Sequence, residues 1–593
     1  MQAGLPPPRR SRIRGCLRSA WPWAAITAGY AGVVVLMLAP LSNYAAFSTA
    51  IASGDPKLLA WTFAWTSHAI LTGAPLFDAN IFYPARPALA YAEHHIGVGI
   101  WGLPLFALTA NPILVYSVLK IAALTLNGVA MHLFVWRWLR SHGAALLAGL
   151  VFSVSAPRLI YSGHLPLVWN CWFPLMLIAA DRWATRREMK WLLATTVLFA
   201  LQALATWYLA VMAALALAVF AVWRPLAARL WPDPANGPHV QLPTPRGRRA
   251  LVTVAQLAAG GLLAAGIVWP LAQPYLALSG HEETPPRIVL RYAADLGSYL
   301  QPPEDALAGP LMKRVLGLPA RRVGAERAQF LGLVTIGLAA IGALRFLSLV
   351  VRRRQARRHA GHMLWGGYLL LLGVVAFGLS LGPSDDGRWF MPFDLISRTP
   401  VLGMFRVPSR FAVLVILAVA GLAALGFSEL SRRGRRVSVL VAAVLVPAML
   451  LEWAVTPPAK SKPGSDVTPP IYYLIPALDV HALVSLPCYR RSDSPPLDAD
   501  YMLYSTVHWR SIVNGYGRAE PPGLHWVVGT VAAFPGPNSA VRMRELGIDY
   551  VVLHAARYPD RAAAILAEAR TSRDFQQVAR IGDDYLFRLL PQP

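Results

Sequence analysis

Asp55 stands in Ser53-Gly54-Asp55-Pro56, directly before a run with helical spacing of Leu58, Trp61, Trp65 and Ile70. An aspartate followed by proline is a strong helix start, with the carboxylate as N-cap. The same carboxylate could take a proton from an acceptor hydroxyl or help to hold a divalent cation. The two readings are compatible. Glu93-His94-His95 places three titratable groups at the mouth of an apolar segment. They suit proton transfer, phosphate contact or metal ligation, or are solvated loop residues. Adjacent histidines rarely ligate one ion from one element, so the spacing alone does not make a metal site. His164, in Tyr161-Ser162-Gly163-His164, could join them or merely close a turn. Arg406 and Arg410 are four apart, so they face the same way if a helix has begun. They could bind a phosphate bidentately or snorkel to an interface. Arg291, near Asp295, is either a further phosphate contact or half of an ion pair.

Other chemistries are excluded. Cys16, Cys171 and Cys488 have no disulfide or zinc spacing. No Walker motif is present, so nucleotide-driven work is unsupported. The formal net charge of +25 would ordinarily suggest nucleic acid as a partner. Yet of the 593 residues only 14% are charged and 56% are hydrophobic, against about 25% charged in ordinary globular chains. That composition excludes both a nucleic-acid binder and a disordered chain.

The elements that must position these residues are membrane spans. Apolar stretches near 21–43, 111–136, 143–157, 165–181, 190–205, 207–223, 250–279, 328–350, 363–382, 409–429 and 437–456 are close to the roughly 20 residues that cross a bilayer. The first is read as an uncleaved span and 96–110 as a short re-entrant or interfacial helix. The segments 1–20, 137–142, 181–190, 224–249, 351–362 and 431–436 carry +22 of the +25. By the positive-inside rule they are cytoplasmic, which puts the N-terminus inside and the C-terminus outside. The expected fold class is mainly α, a polytopic membrane protein of about eleven spans with a small C-terminal α/β extracytoplasmic domain. The spans occupy 21–456, with external loops at 44–95, 280–327 and 383–408. Trp61 and Trp65 suit a helix lying on the membrane. Residues 457–593 form the domain, with strands at Ala482–Leu486 and Tyr550–Leu553 and a helix at Arg561–Arg570. Asn514-Gly515-Tyr516 reads as a turn of that domain.

Several strings carry a family resemblance. They are Asp78-Ala79-Asn80-Ile81-Phe82-Tyr83-Pro84, Tyr91-Ala92-Glu93-His94, the run from Gly143 to Pro157, Phe405-Arg406-Val407-Pro408-Ser409-Arg410-Phe411 and His508-Trp509-Arg510-Ser511-Ile512-Val513-Asn514-Gly515-Tyr516. With a basic N-terminal span and an early acidic residue in a large first loop, the chain resembles the GT-C superfamily of integral-membrane glycosyltransferases, especially bacterial family-39-like members. The resemblance implies a bacterial inner-membrane enzyme. It would transfer a sugar from a polyprenyl-phosphate-linked donor, a membrane lipid, to an unidentified acceptor on the extracytoplasmic face. Asp55 takes the catalytic position of the family. Pro56 and Lys57 follow it, so the acidic pair of many members is missing. Glu93 would then be the second carboxylate, and the need for a divalent metal stays open. Arg406, Arg410 and His95 are the candidates for the leaving phosphate. A lipid-linked glycan flippase and an inactive assembly protein of the same fold remain alternatives.

Overall fold

The structure, a computed structural model, describes residues 9–38, 51–52, 54–231, 248–278, 286–304, 306–317, 324–352, 359–384, 391–397, 405–455, 467–488 and 497–591. The long helices are α1 (Arg9–Leu38), α2 (Asp55–Thr72), α3 (Pro112–Leu139), α4 (His142–Val154), α5 (Trp172–Arg186), α6 (Met189–Ala205), α7 (Trp207–Leu230), α8 (Arg248–Leu278), α9 (Leu333–Val351), α10 (Ala360–Ser380), α11 (Ala412–Leu430) and α12 (Arg435–Trp453). Short turns extend α4 to Gly163 and begin α11 at Pro408. Among the described residues nine helices are long and apolar enough to cross a bilayer, and the chain is a multi-pass membrane protein.

Of the stretches expected as spans, 165–181 is continuous helix only from Trp172, in Trp172–Arg186, and 190–205 is the 17-residue helix Met189–Ala205, short of the roughly 20 residues that cross a bilayer. The chain unwinds between Val168 and Cys171, and α5 begins only at Trp172. The freed backbone groups are met by side chains. Asn127 donates to the Val168 carbonyl at 2.6 Å and accepts from Asn170 N at 3.0 Å, while Gln202 donates to the Trp169 carbonyl at 2.9 Å. Irregular backbone inside a bundle is tolerated only with such partners.

Helix α11 is the centre of the bundle, with residues Ala412 to Ala418 all buried. It meets α9 where both chains are bare: a Cβ at Gly342 or Gly426 would collide with the Leu422 or Leu338 carbonyl. Small residues let membrane helices approach this closely. Helices α8 and α12 are peripheral and expose Leu251, Leu262, Trp269, Leu440 and Val444, as lipid-facing helices do.

The C-terminal region is a five-stranded sheet in the order β2-β1-β3-β5-β4. Strand β1 (Ala482–Leu486) runs parallel to β2 (Ser511–Ile512) and β3 (Tyr550–His554). Strand β5 (Asp584–Leu589) runs antiparallel to β3 and to β4 (Phe575–Ile581). One face, with Val484 and Val551, packs on Val527, Val531 and Met543. The other, with Leu483 and Val552, packs on Trp61, Trp65 and Ile81. Trp61 and Trp65 are therefore covered by the sheet region rather than by lipid. Helix α2 is shared between two cores, because Ala60, Phe63 and Ala64 on its other side belong to the bundle. An interfacial helix was the natural expectation from its tryptophans. The sheet, built from residues more than 400 positions away, supplies the apolar cover instead.

Candidate active site

Asp55 opens α2, and Gly54 rather than Asp55 holds the cap position. The Asp55 side chain makes no capping bond, so both oxygens are free for tertiary partners. One accepts from His164 Nε2 at 2.6 Å and the other from the Tyr516 hydroxyl at 2.8 Å. Burial alone would raise this carboxyl. The His164 hydrogen bond and charge, with Tyr516 and the Arg410 guanidinium, pull it down to about 2 instead.

Each partner has a structural reason to be there. His164 follows the turn Tyr161–Gly163 that ends the extended α4, and the Tyr116 hydroxyl at the start of α3 anchors that turn by donating to the Ser162 and Gly163 carbonyls. Tyr516 sits on the turn after β2, pressed so tightly on the first loop that a Cβ at Gly515 would collide with the Phe82 ring. That loop runs along the sheet edge: Ile512 N donates to Asn80 O, and Tyr83 N to Ile512 O. Lys57, one turn into α2, makes a buried 2.6 Å ion pair with Asp500 of the C-terminal region. The sheet region thus holds the start of α2 at two points, Asp55 and Lys57.

Arg410 lies at the start of α11. It donates to Glu326 at 2.8 Å and stacks over the Tyr208 ring at 4.5 Å. The Tyr161 hydroxyl also donates to Glu326, at 2.8 Å to its carboxylate and again to its carbonyl. Burial would raise the Glu326 carboxyl, but the Arg410 charge and hydrogen bond hold it below its ordinary range. The ends of α4, α7 and α11 therefore meet at one end of the bundle.

The other expected residues lie elsewhere. Glu93 accepts from Trp207 N at 2.9 Å and so closes the N-terminus of α7. His95 bonds the Ala205 carbonyl at 2.8 Å and approaches Glu93 at 3.9 Å. His94 is buried and accepts from Ile96 N. Burial lowers its imidazole to about 3, which leaves it uncharged at neutral pH. These three form a second cluster that joins the first loop to α6 and α7, and the structure does not bring Glu93 to Asp55. Arg406 precedes the first turn of α11, so it does not share a helix face with Arg410. It is half-buried and makes no ion pair with a described residue. Arg291 is exposed against the Tyr292 ring, and Asp295 instead caps Leu296–Leu300 and pairs with Arg327 at 2.5 Å. Glu326 and Tyr161 carried no signal in the sequence. Tyr516 stood inside a recognisable string, but nothing there showed that its hydroxyl reaches residue 55.

Among the described residues no three His, Cys, Asp or Glu side chains converge to hold a metal. Asp55 and His164 are bonded directly to each other, and Tyr516 takes the second carboxylate oxygen. A protein-made cation site needs more donors than this pair supplies. The described residues do not fit such a centre.

No family model and no curated protein matches the sequence. Solved structures do. The arabinofuranosyltransferase AftD from Mycobacteria superposes with a TM-score of 0.53 at 16% identity, over 95% of this chain and 40% of that one. The oligosaccharyltransferase AglB from Archaeoglobus fulgidus gives 0.47 at 13% identity, over 90% of this chain and 70% of that one. ArnT from Cupriavidus metallidurans gives 0.46 at 13% identity, over 97% and 100%. With its multi-pass bundle, its large first loop and its C-terminal sheet region, the chain shares the fold of the part of AftD that it covers, 40% of that protein's length.

Proposed function

We propose that the protein transfers a sugar from a polyprenyl-phosphate-linked donor to an acceptor hydroxyl on the extracytoplasmic face of a bacterial inner membrane. The observation that carries this reading is the Asp55 carboxylate, held by His164 at 2.6 Å and Tyr516 at 2.8 Å beside an arginine-bearing helix start. The distribution of charge supports the orientation: on α3, α7 and α11 the basic residues Arg137, Arg229 and Arg432 lie at the ends opposite Tyr116, Tyr208 and Arg410. AftD's name records transfer of a sugar, and that reaction class is what we carry over.

In the step, the acceptor oxygen bonds to the anomeric carbon as the bond from that carbon to the phosphate oxygen breaks. The acceptor proton passes to Asp55, and the electron pair leaves with the polyprenyl phosphate. His164 and Tyr516 fix the carboxylate so that one lone pair faces the acceptor. The developing phosphate charge falls to arginine. Arg410 is already neutralised by Glu326, so Arg406 is the guanidinium left to meet it. His164 competes for the role of proton acceptor, because a carboxyl at about 2 is a weak base.

The test uses purified protein with polyprenyl-phosphate-linked sugars and counts released polyprenyl phosphate. Asp55→Asn should lower turnover by about 10²–10⁴-fold, the usual worth of a general base. Full activity in that variant rejects the assignment. Passage of the intact lipid-linked glycan across liposomes without release of lipid phosphate would make the protein a flippase.

A further inference from the structure

Arg140 and Arg187 hold the same place at the ends of two helices that pack together, α3 and α5. Both are exposed, and each follows its last helical turn with a positive φ, 53° and 57°. This left-handed conformation favours glycine and is costly for a residue with a side chain. Each N–H bonds the carbonyl of a tryptophan one turn back, Trp136 at 3.0 Å and Trp183 at 2.8 Å. Each guanidinium lies over that same tryptophan's ring, at 4.9 Å and 4.8 Å. Arg182 lies likewise over Trp191, at 5.2 Å. A guanidinium over a ring spends its face there and keeps its in-plane N–H groups for oxygen acceptors.

The carboxylates beside these arginines are engaged elsewhere. Asp181 pairs with Arg224 at 3.0 Å, and Glu188 with Lys190 at 2.6 Å and Arg186 at 3.9 Å. Arg137, Arg140, Arg182 and Arg187 make no ion pair with a described residue. Arg137 is attracted by Asp181 but repelled by Arg182, Arg140 and Arg186, and Arg187 is repelled by Arg224. Another basic corner is built differently: Arg345 and Arg432 share Glu429, at 3.1 Å and 2.9 Å. Like charges gathered together oppose the compact state unless a counter-charge joins them. Tryptophans collect at membrane interfaces, so guanidiniums laid on Trp136, Trp183 and Trp191 stand at the depth of lipid headgroups.

We propose that the ends of α3 and α5 bind an anionic phospholipid with two phosphates in its headgroup, on the basic side of the bilayer. Helix α3 brings Arg137 and Arg140, and α5 brings Arg182 and the Arg187 that follows it. One bidentate arginine contact suffices for one phosphate. Four unpaired guanidiniums on two adjoining helix ends match two phosphates on one molecule. The bound lipid clamps α3 to α5 and cancels their mutual repulsion. The site lies at the ends of the helices away from Asp55 and does not depend on the proposed sugar transfer.

The test follows thermal unfolding of the full chain in detergent while lipid is added. Diphosphatidylglycerol, with two phosphates, should raise the melting temperature saturably. Phosphatidylglycerol, with one, should act only at higher concentration, and zwitterionic phosphatidylcholine should not act. The variant carrying both Arg140→Gly and Arg187→Gly puts glycine where the backbone favours it, so the lipid-free melting temperature should not fall. Its affinity for diphosphatidylglycerol should drop roughly 20- to 30-fold, about fivefold for each basic residue near an anionic membrane surface. Arg432→Gln, on the same side but paired with Glu429, should bind the lipid as the wild type does. Equal responses to the three lipids overturn the proposal, as does undiminished affinity in the glycine variant. An equal loss in Arg432→Gln reduces the effect to bulk attraction and rejects the site. Stabilisation by inorganic pyrophosphate as strong as that by the lipid assigns the arginines to a soluble anion and rejects the lipid.

Discussion

Asp55 is gripped by two donors, and removing them one at a time separates orientation from chemistry. Tyr516→Phe keeps the ring and deletes only the hydroxyl bonded at 2.8 Å. A hydrogen bond to a charged group is worth about 1.5–3 kcal/mol, so kcat should fall roughly 10- to 100-fold. The melting temperature should stay constant, because the site is partly solvated. Single-turnover release of lipid phosphate reads the first and a thermal melt the second; an unchanged kcat detaches Tyr516 from the site. The Asp55 carboxyl is lower in the folded chain, at about 2, than its ordinary 3.8. Its contribution to stability is therefore present above the ordinary value and lost as pH falls through about 2. An acid limb in the rate profile that arises from Asp55 must lie below about pH 4. A limb well above that belongs to another group.

At the scale of elements, α2 is the hinge of the architecture, because one side packs in the bundle and the other on the sheet. Lys57 and Asp500 fasten it, both nearly buried at 2.6 Å. Removing one partner of a buried pair leaves a stranded charge and costs about 3–5 kcal/mol. Asp500→Leu should therefore lower the melting temperature strongly, and adding Lys57→Met should restore only part of the loss, the rest belonging to Arg557, which Asp500 also holds at 3.2 Å. Equal melting temperatures for the single and double variants would contradict this account. A second carboxyl of the sheet region has a distinct pH signature. Burial raises Asp498 from 3.8 to about 7, against the hydrogen bond from Asn514. The folded chain then keeps a proton that the unfolded chain has released. Stability falls as pH rises from about 4 to about 7. Asp498→Asn should flatten that slope and raise the melting temperature at pH 8, as paired melts at pH 5 and 8 would show. Asn514 and Tyr516 share one turn, so this neutral carboxyl also helps to place the hydroxyl that reaches Asp55.

Across the whole molecule, orientation and site placement make one claim. In a Cys16→Ser background, a cysteine introduced by Arg573→Cys on the exposed sheet region should react with an impermeant maleimide in intact cells. One introduced by Arg436→Cys should react only after permeabilisation, since Cys171 and Cys488 are buried. The reverse pattern would overturn the topology and the side assigned to the chemistry. Much of this was readable in the chain itself. Span-length apolar runs and a basic excess confined to six segments determine a multi-pass helical protein, because the bilayer imposes length and charge rules on every span separately. Local patterns likewise marked β1, β3 and the helix near 562–571. Pairings between distant parts were not readable. The burial of Trp61 and Trp65, the retirement of Glu93 to close α7, and the meeting of His164 and Tyr516 on Asp55 all join residues far apart in sequence. Composition and spacing report what a segment does with water or lipid. Which carboxylate is freed for chemistry and which is spent on a helix end depends on what packs against it, and only the tertiary structure decided that.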